Sequence, residues 1–243
     1  MKIRVFMLFL LLGSCSAVYP QKEKRRSREP EPVKERTIAS IVEGMEKQSG
    51  FIDFYYDKKL DKIYLLVDKF HSDLLYVHAL SAGVGSNDIG LDRGQLGGTR
   101  IVRFERRGPK VLLVEPNTKF RATTENAAEQ RAVSEAFAQS VLWGFKVEAE
   151  DNDAVLLDAT DFFIQDAHGV ILALKSHGQG DYKLDLSRSA FYPERIRNFP
   201  KNSEFEVILT FTGQPTGGFI RSVTPTASAV TVRQHHSFVE LPD

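Results

Sequence analysis

Cysteine is nearly missing from this 243-residue chain: Cys15 is the only one. No intramolecular disulfide can form, and no thiolate zinc site can be assembled, so stability must come from packing. Tryptophan and methionine are also scarce, at 1 and 3 residues. Charge of either sign is not in excess, since 32 basic residues balance 32 acidic ones, which removes the electrostatic case for a nucleic-acid partner. No hydrophobic run is long enough to span a bilayer as a helix. Three catalytic signatures are missing too: His-Glu-x-x-His, Gly-x-Ser-x-Gly, and the Gly-Lys-Ser/Thr ending of a phosphate loop.

The first residues carry an export pattern. Lys2 and Arg4 precede a short apolar stretch, Val5 to Leu12, and small residues follow through Ala17, so residues 1–17 read as a signal peptide. Two processing routes are open. Leu12-Gly13-Ser14-Cys15 resembles a bacterial lipobox, in which Cys15 is lipidated and anchors the chain to a membrane; alternatively, ordinary cleavage follows Ala17. The expected location is the periplasm, the outer membrane as a lipoprotein, or the medium. Residues 18–49 read as a disordered tether followed by a short helix. Residues 22–36 hold almost no apolar side chain and two prolines, too little to offset the entropy of ordering. Ile38, Ile41, Val42 and Met45 recur at helical spacing within Thr37 to Lys47.

What is abundant is phenylalanine, 17 residues, in short alternating segments from Gly50 onward. Phe51 to Tyr56, Lys62 to Asp68 and Leu74 to Ser81 lie too close together for parallel crossovers and predict an antiparallel meander. Further strands are expected at 99–105, 110–115, 145–149, 154–159, 170–175, 204–212, 219–223 and 229–233. One helix is predicted over about 125–143: Asn126 and Glu129 make a capping box, Val133, Ala136, Phe137 and Val141 form the apolar stripe, and Gly144 ends it. The expected fold class is α+β, a predominantly antiparallel β-sheet with this one main packed helix, forming a single module over 50–243.

Six histidines are the natural place to look for metal, but none sits at i, i+4 spacing around a glutamate. His235 and His236, adjacent on a strand, must point to opposite faces. His168 and His177 are expected at hairpin ends. The six glycines of residues 83–98 lead into a strand rather than a helix, so a loop with several positive-φ positions accounts for them better than a phosphate cradle does. Asp151-Asn152-Asp153 lacks the downstream glycine and glutamate of a calcium loop and reads as a hairpin turn. No catalytic, cofactor-binding or metal-ligating residue is therefore assigned.

Several segments, taken together, carry a resemblance: Gly90-Leu-Asp-Arg-Gly-Gln95, Leu156-Leu-Asp-Ala-Thr-Asp-Phe-Phe163, Asp185-Leu-Ser-Arg-Ser-Ala190, Asn198-Phe-Pro-Lys-Asn202, Ser222-Val-Thr-Pro225 and Val232-Arg-Gln-His-His-Ser-Phe238. They resemble the region ahead of the catalytic domain in bacterial zinc-dependent metallopeptidases of the met-zincin type. The resemblance implies an exported accessory or scaffold module, cut short before the peptidase domain and not an enzyme on its own. Its implied partner is a metallopeptidase catalytic domain, in cis or in trans, and zinc is expected only in that domain. The alternative is a free-standing exported protein that binds a peptide or glycan. Residues 229–241 are expected to form a strand at a boundary of the fold, with Phe238, Val239 and Leu241 as a partner-docking edge.

Overall fold

A computed structural model describes residues 36–152 and 154–242. The segments expected as a signal peptide (1–17, with Cys15) and as a tether up to Glu35 lie outside the described residues. Of those described, 46% are in strands and 18% in helices, and the strands form one nearly closed antiparallel barrel.

The chain opens with one helical turn, α1 (Ile38–Ile41), capped by the Thr37 hydroxyl. Strands β1 (Glu46–Gln48), β2 (Asp53–Asp57) and β3 (Lys62–Val67) follow as consecutive antiparallel neighbours. Then come β4 (Leu74–Ala82), β5 (Leu96–Arg107), β6 (Lys110–Glu115), α2 (Ala127–Ala136), β7 (Ser140–Asp151) and β8 (Ala154–Asp158). Two short helices, α3 (Thr160–Phe163) and α4 (Val170–Ser176), precede β9 (Gly180–Leu184), β10 (Ala190–Phe191) and β11 (Arg197–Phe199). The long β12 (Asn202–Pro215), α5 (Gly218–Val223) and β13 (Ala229–Glu240) complete the order. The sheet runs β1-β2-β3-β8-β7-β6-β5-β4-β13-β12-β10, with β9 and β11 also pairing β12.

Closure depends on polar side chains at the seam between the β1–β2 hairpin and β11–β12. The Asn198 amide donates to the carbonyls of Gln48 and Ile52, each at 2.9 Å. Phe51 N–H donates to Phe199 O at 2.8 Å, and Ile52 N–H to the Ser203 hydroxyl at 3.0 Å. Further along, Asp61 accepts from the Tyr56 hydroxyl and from Phe191 N–H, tying the β2–β3 turn to β10.

Alternation along β12 and β13 fills the interior. Phe205, Val207, Leu209 and Phe211 face inward from β12, and Val230, Val232, His236 and Phe238 from β13. α3 sends Phe162 and Phe163 into the lumen, where Phe163 stacks on Phe205 at 4.2 Å and Phe162 on Phe238 at 5.9 Å. One end of the barrel is covered by α3, α4, α5 and the glycine-rich loop, whose Ile89 and Leu91 are fully buried. Gly85, Gly90 and Gly94 adopt the positive φ that such a turn-rich loop needs.

Four expectations are corrected. The single main packed helix over 125–143 does not exist. α2 starts as expected, with Asn126 accepting from Ala128 N–H at 2.9 Å, but it ends at Ala136 and buries no residue. Ser140 onward is strand, with Val141 opposite Val114 and Trp143 opposite Leu113. The spacing of Val133, Phe137 and Val141 suits a helix, yet Val141 and Trp143 also satisfy the two-residue period of a strand, and pairing with β6 decides the matter.

Second, β4 does not continue a meander with β3; it pairs β5 and β13, while β3 pairs β8. The 68–73 turn, with His71 at φ 59°, carries the chain across the barrel end. Third, the segments expected as strands at 170–175 and 219–223 are α4 and α5. The Asp166 carboxylate accepts from Val170 N–H at 2.7 Å and Ile171 N–H at 2.9 Å, which satisfies the first turn of α4. Gln179 does the same for α5 by accepting from Ile220 N–H at 3.0 Å. Fourth, β13 is not at a boundary, because β4 flanks it on one side and β12 on the other.

Candidate functional site

On the outer face, the β12–β13 register places Glu204 opposite Ser237 and Glu206 opposite His235. The His235 ring bridges the two carboxylates, with Nε2 at 2.6 Å from Glu204 Oε2 and Nδ1 at 3.4 Å from Glu206 Oε2. Ser237 and Asn202 donate to Glu204 as well. Arg233 approaches Glu206 at 3.5 Å while its guanidinium stacks 4.6 Å above the Tyr192 ring. Burial alone would lower the His235 pKa, but the two carboxylates overcome it and push the imidazole up to about 9. Glu204 and Glu206 are held below the usual carboxylate range: burial opposes the shift, and it is outweighed by His235 together with Ser237 and Asn202 at Glu204, and with Ser81 and Arg233 at Glu206. The network opens on a cleft of about 530 Å3, lined also by Ser81, Arg195, Arg197 and Phe199.

Ser237, His235 and Glu206 have the order of a nucleophile, a base and an orienting acid, with the Ser237 hydroxyl 3.3 Å from Nε2. The chemistry does not follow from the order. Glu204 occupies the same nitrogen at shorter range, and at neutral pH the ring is protonated on both nitrogens and has no lone pair to accept a proton. The cluster is a charge-assisted tie between β12 and β13.

A second polar cluster lies inside the barrel. The Gln234 amide nitrogen faces His236 Nε2 at 2.8 Å and Gln165 O at 3.0 Å, so His236 Nε2 accepts and Nδ1–H donates to the Tyr76 hydroxyl at 2.7 Å. His78 Nε2 accepts from Gly98 N–H at 2.9 Å, which places the ring proton on a buried Nδ1 that has no partner. Burial lowers the pKa of His78 to about 4 and that of His236 to about 3, so both rings are neutral. His235 and His236 do point to opposite faces, as strand geometry requires. His168 and His177 flank α4 rather than a hairpin.

These assignments also bear on metal binding. Among the described residues, no three His, Cys, Asp or Glu side chains are grouped to hold an ion. The lone pair of His78 Nε2 is used by Gly98, both nitrogens of His236 are used, and His235 is held between carboxylates.

The apolar residues named for docking separate. Phe238 is fully buried in the aromatic core, Val239 is half-buried on the outer face, and Leu241 lines a pocket at the open end of the barrel. Cys15 lies outside the described residues. A different surface stands out. On the excursion between β6 and β7, Phe120 and Phe137 stack at 3.8 Å with planes 5° apart, yet remain 49% and 37% exposed, and Val141, in β7, is 54% exposed. Sequence reasoning found Phe137 and Val141 but assigned them to the core. It set Glu206 on the face opposite Phe205 but did not single out Glu204, Glu206 or Ser237 as a cluster, although the same two-residue alternation with Phe205 and Phe238 places Glu204 and Ser237 outside as well.

No curated protein and no solved structure matches the chain. Residues 94–243, more than half of the sequence, match the family described as Domain of unknown function (DUF5117), and the protein belongs to that family.

Proposed function

We propose that the protein is an exported, non-catalytic module that docks against a zinc-dependent metallopeptidase domain and holds it, with the exposed Phe120–Phe137 pair at the C-terminal end of α2 as the contact surface. The observation that carries this reading is that α2 buries no residue of its own while Phe120 and Phe137, its C-cap, stack on each other and remain exposed. Apolar side chains clustered on a surface mark an interaction site more often than isolated ones do. The segments that resemble the pre-catalytic region of met-zincin peptidases supply the identity of the partner. On this reading zinc belongs to the partner alone, and residues 1–17 direct export, with Cys15 either lipidated or removed with the signal.

The test is to mix the chain with the His-Glu-x-x-His domain of a met-zincin peptidase from the same genome and measure association by calorimetry. Binding at micromolar concentration that falls at least tenfold with Phe137→Asp supports the reading. No binding at high micromolar concentration overturns it in favour of a free-standing exported binding protein.

A further inference from the structure

The turn between α3 and α4, residues 164–169, hangs on one side chain of β13. Gln234 Oε1 accepts from the His168 backbone N–H at 2.9 Å, and Gln234 Nε2 donates to Gln165 O at 3.0 Å. The same nitrogen donates to His236 Nε2 at 2.8 Å. Gln234 and His236 are fully buried, whereas the turn is half-buried throughout. The amide has two orientations, and only one holds the turn. Beside a neutral His236 ring, its nitrogen faces two acceptors and its oxygen faces a donor. A proton on His236 Nε2 sets two donors face to face. Rotating the amide by half a turn restores that contact but aims oxygen at Gln165 O and nitrogen at His168 N–H, so both bonds to the turn are lost.

A second pair of rings meets at the same turn. His78, at the register shift between β4 and β5, and His168 lie edge to face with centroids 5.8 Å apart. Both Nδ1 atoms are buried and have no hydrogen-bond partner among the described residues. A β-carbon on Gly97 would stand 2.1 Å from one and 3.0 Å from the other, so the two nitrogens converge beside that glycine. His78 Nδ1 carries a proton, because Nε2 accepts from Gly98 N–H, and a protonated His168 would leave donor facing donor there. Arg100 of β5 opposes protonation of His78, and Asp166 on the turn favours it at both His78 and His168. His235, on the outer side of β13, opposes it at His236, as does His78; Tyr76 of β4 stays neutral. α3 turns the Phe162 and Phe163 rings toward His236.

We propose that Gln234 and the three histidines form an acid-released latch: protonation of His236, His78 or His168 frees residues 164–169 from β13 and admits water to the interior polar cluster while the barrel wall stays folded. All three rings titrate below the ordinary 6.5 in the closed form, His78 at about 4 and His236 at about 3. The open form takes up protons that the closed form excludes. Its population therefore climbs as pH falls below 6.5, by up to about tenfold per pH unit for each ring exposed, and levels off near the closed-form values. The latch is independent of the Phe120–Phe137 surface.

The experiment measures amide hydrogen-exchange protection in the intact chain from pH 7 to 5, with and without urea below the unfolding transition. The Ala167 and His168 amides report on the turn, and the amides of β12 report on the wall. Protection of the turn should fall at least about tenfold between pH 6.5 and 5. It should depend only weakly on urea, because lifting one turn exposes little surface, whereas β12 should show the steep dependence of global unfolding. Tyr76→Phe combined with His236→Phe removes both partners of one buried bond and should make the pH slope shallower. His168→Gln, at a half-buried position, gives the same reading where the double variant does not fold. The latch is overturned if protection of the turn is level over this range, if it follows the urea dependence of β12, or if every folded variant keeps the parent slope.

Discussion

Asn198 donates its side-chain amide to the carbonyl of Ile52 at 2.9 Å, and the same amide reaches Gln48 O at 2.9 Å. Two backbone carbonyls on either side of the β1–β2 turn are thereby bound by one side chain. This contact joins the first hairpin to the last third of the chain and turns a long twisted sheet into a barrel.

Asn198→Ala should therefore cost roughly 1–3 kcal/mol, the range for leaving partly buried carbonyls without donors. Gly50→Ala should destabilise through the same seam, because a β-carbon there would strike the Asn198 side chain and come within 2.7 Å of Phe199 O. Urea unfolding of both variants checks this. Midpoints equal to that of the parent would show that the barrel closes without the seam.

The His235 tie has a signed pH dependence. Its folded pKa, about 9, lies above the ordinary value of 6.5, so its stabilisation is complete below about pH 6.5 and disappears as pH rises through 9. Denaturant midpoints measured from pH 6 to 10 should fall across that window in the parent and stay flatter in His235→Gln. A parent curve that is level over the window would mean that the imidazolium contributes nothing.

The interior histidines act in the opposite direction. His78 and His236 are neutral when folded, with pKa values near 4 and 3, so unfolding takes up protons below about pH 6.5. Stability should drop by several kcal/mol between pH 6.5 and 4, with a contribution from the depressed carboxylates Glu204 and Glu206 toward the acid end. His78→Gln keeps an acceptor for Gly98 N–H and removes one titrating group. Its stability should depend less steeply on pH between 4 and 6.5, by up to one proton; an unchanged slope would contradict the assignment.

Much of the strand content was legible because alternation persists where one face is buried. Phe205, Val207, Leu209 and Phe211 announce β12, and all four are fully buried. The closure was not legible. It depends on single polar residues such as Asn198, 150 positions from its partner Gln48, and no local period records such a contact. α4 and α5 were misread for a related reason. Val170–Ser176 is a short apolar run that suits either element, and the deciding groups, the Asp166 carboxylate and the Gln179 amide, lie outside the run. The candidate sites were half legible. Opposite faces for His235 and His236 followed from strand geometry, but the two glutamates around His235 come from β12, and only the register of β12 against β13 brings them there.

Phe163 and Phe137 offer a contrast between core and surface. Phe163 is fully buried and stacked on Phe205, so Phe163→Ala should cost about 3–5 kcal/mol. A loss below about 1 kcal/mol would mean that α3 does not plug the lumen.

The most direct test of the proposed docking face is Phe137→Asp, with the unfolding free energy and the affinity for the peptidase domain measured on the same preparation. The α2 face predicts that stability changes by less than about 1 kcal/mol, as at exposed positions, while binding weakens at least tenfold. A loss of 3 kcal/mol or more with binding per folded molecule unchanged would place Phe137 in the core and contradict the account.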